Sequence, residues 1–435
     1  MFRKLEKNPP LFVCLSFFAL ILLGAILLNL PIASADGNSI GFINALFTST
    51  SASCVTGLIV ANTATQWTVF GKIIIITLIQ IGGLGTMVFL SLIAMVLNRR
   101  IGITERRIIK EQTSADTSKG IVKLVIYIIK FSLTVELIGA ILLATKFIPD
   151  FGLKKGILFS LFHAISAFCN AGFDIIGNSI VDYVDDITVN LVIAFLIIFG
   201  GLGFTVFIDI YKKRKFKNLT LHSKVVISIS AILILLGTFS YFLIENKSGA
   251  MESLTLKGKI LASFFMSVSA RTAGFNSIDI GKMQESSVIV TIILMFIGAS
   301  PASTGGGIKT TTFGVLLFST ISVLRGNDET EIFHNTISRD ALLKSLCIFS
   351  LGSAIVVFAS LGITIIESGK FLYLDILYEI VSAFGTVGVT RGITPNLSSM
   401  SKLILIILMY LGRVGAATLG IGILNRKNKK HTRYS

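Results

Sequence analysis

The chain has 435 residues, of which 53% are hydrophobic and 14% charged, with a formal net charge of +16. Soluble globular chains carry about 25% charged residues, so the composition excludes an ordinary soluble domain and points to the bilayer. The positive charge does not point to nucleic acid, because it sits in alternate loops between long apolar runs and not in one patch.

In chain order the apolar runs cover residues 11–31, 69–97, 121–147, 187–211, 225–244, 288–324, 341–367 and 403–424. Each approaches or exceeds the roughly 20 residues a helix needs to cross a membrane. The first is followed by Ala33, Ser34 and Ala35, a pattern seen at signal-peptidase sites, but the run is too long for a leader and is read as the first span. Basic residues cluster before it (Arg3, Lys4, Lys7), in 98–120 (Arg99, Arg100, Arg106, Arg107, Lys110), in 212–217 and in the tail 426–433. The opposite loops are poor in Lys and Arg or acidic, as at Asp174, Asp182, Asp185 and Asp186. Both termini are therefore expected in the cytoplasm.

Between paired spans lie four similar segments: FTSTSASCVTG (47–57), FHAISAFCNAG (162–172), FFMSVSARTAG (264–274) and YEIVSAFGTVG (378–388). Each places an aromatic ten positions before a glycine, and the glycines are 115, 102 and 114 residues apart. That period excludes a solenoid of small units. In a membrane chain it predicts four copies of one module around an axis. The expected fold is an all-α integral membrane protein of four pseudo-fourfold repeats, each a span, a re-entrant pore half-helix and a second span (M1–P–M2). This gives eight transmembrane helices and four half-helices around a central pore. The repeats are expected at 1–110, 111–218, 219–330 and 331–435, the last with the basic tail.

A stretch of about 15 residues is too short to cross, and irregular backbone at membrane depth survives only where protein buries it or it lines a watery cavity. A dehydrated cation needs oxygens, and a ring of backbone carbonyls supplies them. Glycine fits because the turn needs a positive φ, and the C-terminal end of each half-helix favours cations. The candidate ion-selectivity residues are Val55, Thr56 and Gly57; Asn170, Ala171 and Gly172; Thr272, Ala273 and Gly274; and Thr386, Val387 and Gly388. A single such glycine reads more readily as a helix-packing residue; four in register do not. Because Val55, Asn170, Thr272 and Thr386 differ, the filter is expected to be less uniform than a fourfold channel's. Asp375 is expected to cap one half-helix, and Lys154 and Lys155 to reach headgroups near the start of another.

The second span of repeat three contains IGASPASTGGGIK (297–309). Pro301 and three consecutive glycines oppose a continuous helix, so a break is expected there, in this repeat only. The segment lacks the strand and Gly-Lys pair of a phosphate loop. Arg413 lies within the last span, where an arginine marks a cavity or ion path. Glu136 is a second intramembrane charge, expected to pair with a basic group or a backbone amide. GGLG at 82–85 and 200–203 reads as close helix packing. The four cysteines and four histidines are dispersed, which suggests no disulfide frame, metal centre or catalytic set.

Thr386, Val387 and Gly388 match the start of the potassium-channel filter signature. With four M1–P–M2 modules, nearly the whole chain resembles the Trk/Ktr/HKT superfamily of potassium transporters, and within it the membrane subunit of bacterial Ktr systems. The resemblance implies potassium uptake across the bacterial cell membrane, with glycine in all four loops marking potassium selectivity. It implies a gate beneath the filter within 298–312, formed by Gly298, Ala299, Ser300, Pro301, Ala302, Ser303, Thr304, Gly305, Gly306, Gly307 and Lys309, with Arg413 hindering cation passage. It further implies K+ as the transported ion, with Na+ open as a coupling or activating ion, and a homodimer in the lipid bilayer. A cytosolic ring of nucleotide-binding RCK subunits (KtrA-like) would carry the nucleotide, leaving no cofactor in this chain. A coupled carrier of inverted repeats would instead show two opposed halves, each with one interrupted helix.

Overall fold

The computed structural model describes residues 9–85, 88, 121–247, 249–326 and 329–415. The basic groups Arg3, Lys4 and Lys7, the 98–120 loop, the 426–433 tail and the far ends of the spans predicted at 69–97 and 403–424 lie outside the described residues.

Among the described residues four helices are long and apolar enough to cross a membrane unbroken: α1 (Pro9–Leu28), α4 (Ile121–Phe151), α8 (Leu221–Glu245) and α12 (Arg339–Glu367). They are the first helices of the four predicted repeats. Each packs against the half-helix that follows it: α2 (Phe42–Ser53), α5 (Leu153–Phe168), α9 (Leu256–Ser269) and α13 (Tyr373–Gly385). At 1.5 Å per residue these shorter helices reach only part of the way across the bilayer. The outward faces of the long helices are apolar, with Leu235, Phe239, Phe358 and Ile365 exposed, as a lipid-facing surface requires.

The second helix of every repeat is short and stops at a matching place. These are α3 (Val69–Leu84), α6 (Ile187–Leu202), α10 (Glu285–Phe296) and α14 (Ser399–Val414). Good caps start three of them, with Thr68, Asp186 and Ser398 accepting from the N–H three residues on. The expectation of one break, in repeat three alone, is corrected. Gly85, Gly203 and Gly415 have φ of +91°, +94° and +90°, which a helix cannot hold. The predicted span 187–211 is a bent pair, with α6 and α7 (Phe204–Lys213) meeting at 91°. The bend makes room for the repeat-three loop, whose Ala302 carbonyl accepts from the Phe204 N–H at 3.0 Å. A Cβ at Gly203 would lie 2.5 Å from the Pro301 carbonyl oxygen, besides adopting a conformation that costs about 1–3 kcal/mol without glycine. Gly203→Ala is accordingly expected to lower the melting temperature of the purified protein, and an unchanged melting curve would show the bend to be adaptable.

In repeat three, α10 gives way to a loop that ends at α11 (Thr310–Leu324). A small β-hairpin (Glu331–Ile332 with Asn335–Thr336) then leads into α12, turning on the positive-φ pair Phe333 and His334. It is a minor addition to an otherwise helical fold.

Candidate ion pathway

The four glycine segments meet. A Cβ added at Gly57 would lie 3.1 Å from the Gly172 Cα, one at Gly172 2.6 Å from the Gly274 Cα, one at Gly274 2.7 Å from the Val387 oxygen, and one at Gly388 2.9 Å from the Gly57 Cα. The repeats thus follow one another round a closed ring, and no side chain larger than hydrogen fits at these positions without displacing a neighbour.

Each loop leaves its half-helix in the same way. Val55, Asn170, Thr272 and Thr386 have φ of +51°, +58°, +67° and +51°, and the glycines two residues on have φ of +95°, +68°, +82° and +94°. Alternating positive and negative φ turns successive carbonyls toward one side, whereas a regular strand points them to opposite sides. The sequence analysis named both residues of each pair but expected a positive φ only at the glycines; three of the four first residues are β-branched, for which a positive φ is an outlier that no propensity announces. All the non-glycine filter residues are buried.

Serines hold the loops in place, and the sequence reading passed over them as small residues. Ser51 Oγ accepts from the Gly57 N–H and Ser382 Oγ from the Gly388 N–H, both at 3.0 Å. Ser166 donates to the Phe173 carbonyl at 2.7 Å, and Ser269 to the Phe275 carbonyl. Backbone bonds from Thr56, Ala171, Ala273 and Val387 N–H return to Ser51, Ser166, Ser269 and Ser382. The N–H groups are thereby occupied. Among the described residues no hydrogen bond reaches the carbonyls of Thr56, Ala171, Ala273 and Val387. Buried carbonyls are normally paired, which sets these four apart from the rest of the buried backbone.

Beneath the ring runs the loop 297–309. Thr304 Oγ1 donates to the Phe168 carbonyl (3.2 Å) and lies 3.0 Å from Asn170 Oδ1, while the Gly306 N–H donates to Thr386 Oγ1 at 3.0 Å. A Cβ at Gly305 would run into Thr272 Oγ1. The loop therefore touches three of the four residues that differ between the repeats, and Asn170 Nδ2 joins Thr272 Oγ1 at 3.3 Å. Its Ser300 and Thr304 N–H groups use the Gly201 and Gly200 carbonyls, and the Gly307 N–H uses that of Gly412. These helix-end carbonyls lost their own partners where the second helices stop.

Arg413 lies beside this loop. Its guanidinium donates to the Thr304 carbonyl, to the Gly82 carbonyl and, at 3.0 Å, to the Gly83 carbonyl. At the matching positions the other repeats have Gly83, Gly201 and Ala299, so repeat four alone carries a charge at this position of its second helix. Lys309 Nζ donates to the Gly305 carbonyl at 2.8 Å. Both cations line a cavity of about 300 Å³ with Gly83, Pro301, Phe384 and Gly412. The GGLG motifs pack as expected: a Cβ at Gly82 or Gly200 would strike the carbonyl of Ser53 or Phe168 at a half-helix end.

Two expected partnerships are corrected. Among the described residues Glu136 meets neither a basic group nor a backbone amide. It accepts from Gln80 Nε2 at 3.0 and 3.2 Å, an uncharged partner 56 residues away that no local pattern identifies. Asp375 does not cap its half-helix, whose N-cap is Leu372 without a side-chain bond; it is drawn off into an ion pair with Arg391. The acidic loop residues are largely structural. Asp185 accepts from Thr255, and Asp186 caps α6 and pairs with Lys146 at 2.8 Å. Burial alone would raise the Asp186 carboxyl, but bonds from Lys146 and the Val189 N–H outweigh it and hold it below the usual carboxylate value.

Four half-helices whose glycine loops meet in one ring, inside a helical bundle with an apolar exterior, define an all-α integral membrane protein built round that ring. A family profile described as cation transport protein (TrkH) matches residues 13–427. The chain belongs to this Trk/Ktr family of membrane cation transporters. It is 45% identical over 413 residues to the Ktr system potassium uptake protein B of Bacillus subtilis, covering 94% of this chain and 92% of that protein. It is 43% identical over 439 residues to the potassium/sodium uptake protein NtpJ of Enterococcus hirae, covering 100% and 97%. The crystal structure of the potassium transporter TrkH from Vibrio parahaemolyticus shares the fold, with a TM-score of 0.74 at 18% identity over 95% of this chain and 84% of that one.

Proposed function

We propose that this chain takes up potassium across the bacterial cell membrane through the ring formed by Gly57, Gly172, Gly274 and Gly388. The observation that carries the reading is the ring itself: unpaired, buried carbonyls replace the water of a cation without adding a fixed charge. The relative named as a potassium uptake protein supports the choice of ion. The membrane potential supplies the drive, about 2.3 kcal/mol per charge per 100 mV. The loop 298–309 and Arg413 form the gate, since they lie directly beneath the filter and across the cavity below it. The chain works as a homodimer with both termini in the cytoplasm, where a nucleotide-binding RCK ring docks on the basic loops; the Ktr naming of the relative supports a multi-subunit system. The repeats at 1–110, 111–218, 219–330 and 331–435 are its structural units.

A second reading has sodium as cargo or co-ion, favoured by the potassium/sodium naming of the Enterococcus relative. The deciding experiment is potassium uptake by a potassium-transport-deficient bacterium expressing the chain, with and without an RCK partner. Saturable potassium uptake that sodium does not replace, strengthened by the partner, is the expected result. A membrane-inserted chain that carries no potassium in either case overturns the reading.

A further inference from the structure

The four half-helices are not anchored alike. Nine positions before each filter glycine stand Thr48, His163, Phe265 and Glu379. Thr48 donates back to the Asn44 carbonyl of its own helix at 3.0 Å, and His163 Nδ1 lies 2.7 Å from the Phe159 carbonyl of its own helix. Phe265 is apolar. Glu379 alone reaches across to the strand leaving the filter.

Its carboxylate is 1% exposed and meets three donors. Oε1 accepts from the Thr390 hydroxyl and, at 3.0 Å, from the Arg391 N–H; Oε2 accepts from the Thr394 hydroxyl at 2.7 Å. All three lie two to six residues beyond Gly388. The Arg391 side chain in turn pairs with Asp375, one turn before Glu379 on α13. The Gly388 N–H is already held by Ser382. The repeat-four strand is thus fastened to its half-helix on both sides of the filter glycine, through a carboxylate that takes no part in the ring.

We propose that Glu379 is a positioning residue for ion discrimination: by fixing the strand after Gly388, it sets how closely the Val387 and Gly388 carbonyls approach the ion. The proposal rests on the filter reading given above. A ring selects by the spacing of its oxygens; Ser166 and Ser269 hold the residue after the glycine in repeats two and three, and in repeat four the carboxylate extends the fastening to residues 390–394. Glutamine has the same size but no charge: its oxygen can still accept from Thr390 and the Arg391 N–H, and its N–H₂ can donate to the Thr394 hydroxyl, so what is lost is the charge that strengthens these bonds.

The test is potassium uptake at graded concentration, with sodium as competitor, in cells expressing the full chain or Glu379→Gln at matched membrane levels. The variant is expected to raise the KM for potassium, and to lower potassium-over-sodium discrimination, by about tenfold, the ratio that loss of charge assistance in these bonds corresponds to, with maximal rate kept within about twofold. A fall in maximal rate with KM and discrimination unchanged would show a merely structural role and overturn the proposal, as would wild-type behaviour. If Glu379→Gln does not reach the membrane, the double variant Thr390→Val and Thr394→Val removes two donors while leaving the carboxylate the Arg391 N–H. Unchanged discrimination in that variant also overturns the proposal. If the unaltered chain carries no potassium, it is the filter reading that fails.

Discussion

Gly274→Ser is expected to raise the KM for potassium by about tenfold or more, a loss of roughly 1.4 kcal/mol, and to admit sodium as a competitor. The argument is geometric. Gly274 has a φ of +82°, and a Cβ there would lie 2.7 Å from the Val387 oxygen and 2.8 Å from the Gly172 Cα. Backbone strain at such a position costs about 1–3 kcal/mol without glycine. The clash adds to it, and it falls on one of the unpaired carbonyls. The ring must open on that side, which weakens its grip on the ion it fits best. Uptake kinetics with sodium competition measure both effects; potassium affinity and selectivity equal to the unaltered chain would remove Gly274 from the filter.

The second large effect is expected from shortening the loop by deleting residues 302–306. The deletion removes Thr304 with its bonds to Phe168 and Asn170, removes the Gly306 bond to Thr386, and frees Arg413 from the Thr304 carbonyl. A loop that obstructs the path should, once shortened, let flux rise severalfold while the filter keeps its selectivity, and the proposed RCK partner should lose control over it. Arg413 would still face the path. A unit charge about 4 Å from a passing cation opposes it by about 4 kcal/mol at an effective dielectric of 20, so flux should rise further when Arg413→Gln is added. Reduced flux at normal protein level and selectivity would show that the loop supports the pore and does not close it.

What the sequence made legible was whatever repeats. Gly57, Gly172, Gly274 and Gly388 stand in register with an aromatic and small residues, and that pattern was enough to place the half-helices and bring the glycines together, while the apolar runs placed the long first helices. The breaks at Gly85, Gly203 and Gly415 were not legible. A glycine in an apolar run reads equally as a packing residue or a stop, and only the loop lying against Gly203 makes it a stop. The loop in repeat three was visible because proline and three glycines leave no helical alternative. Side-chain partners across the chain were the least visible. Nothing near Glu136 points to Gln80, and the Asp375 position near a helix start favoured a cap over the ion pair with Arg391, sixteen residues on. The serine latches stood in plain view, but a hydroxyl in a small-residue run gives no sign that it faces an amide.

The unequal layer of Val55, Asn170, Thr272 and Thr386 has a consequence for how such a pore can change. In an assembly of four identical subunits every mutation arrives in quadruplicate, so a trial at one wall is a trial at all of them. Here each quarter is encoded separately. One wall can acquire a hydroxyl that receives the loop, another an amide that steadies it, and a third can stay apolar, each by a single substitution whose cost is confined to its own quarter. Such lopsidedness lets the loop dock in a single orientation, which a four-way symmetric vestibule offers no means to specify.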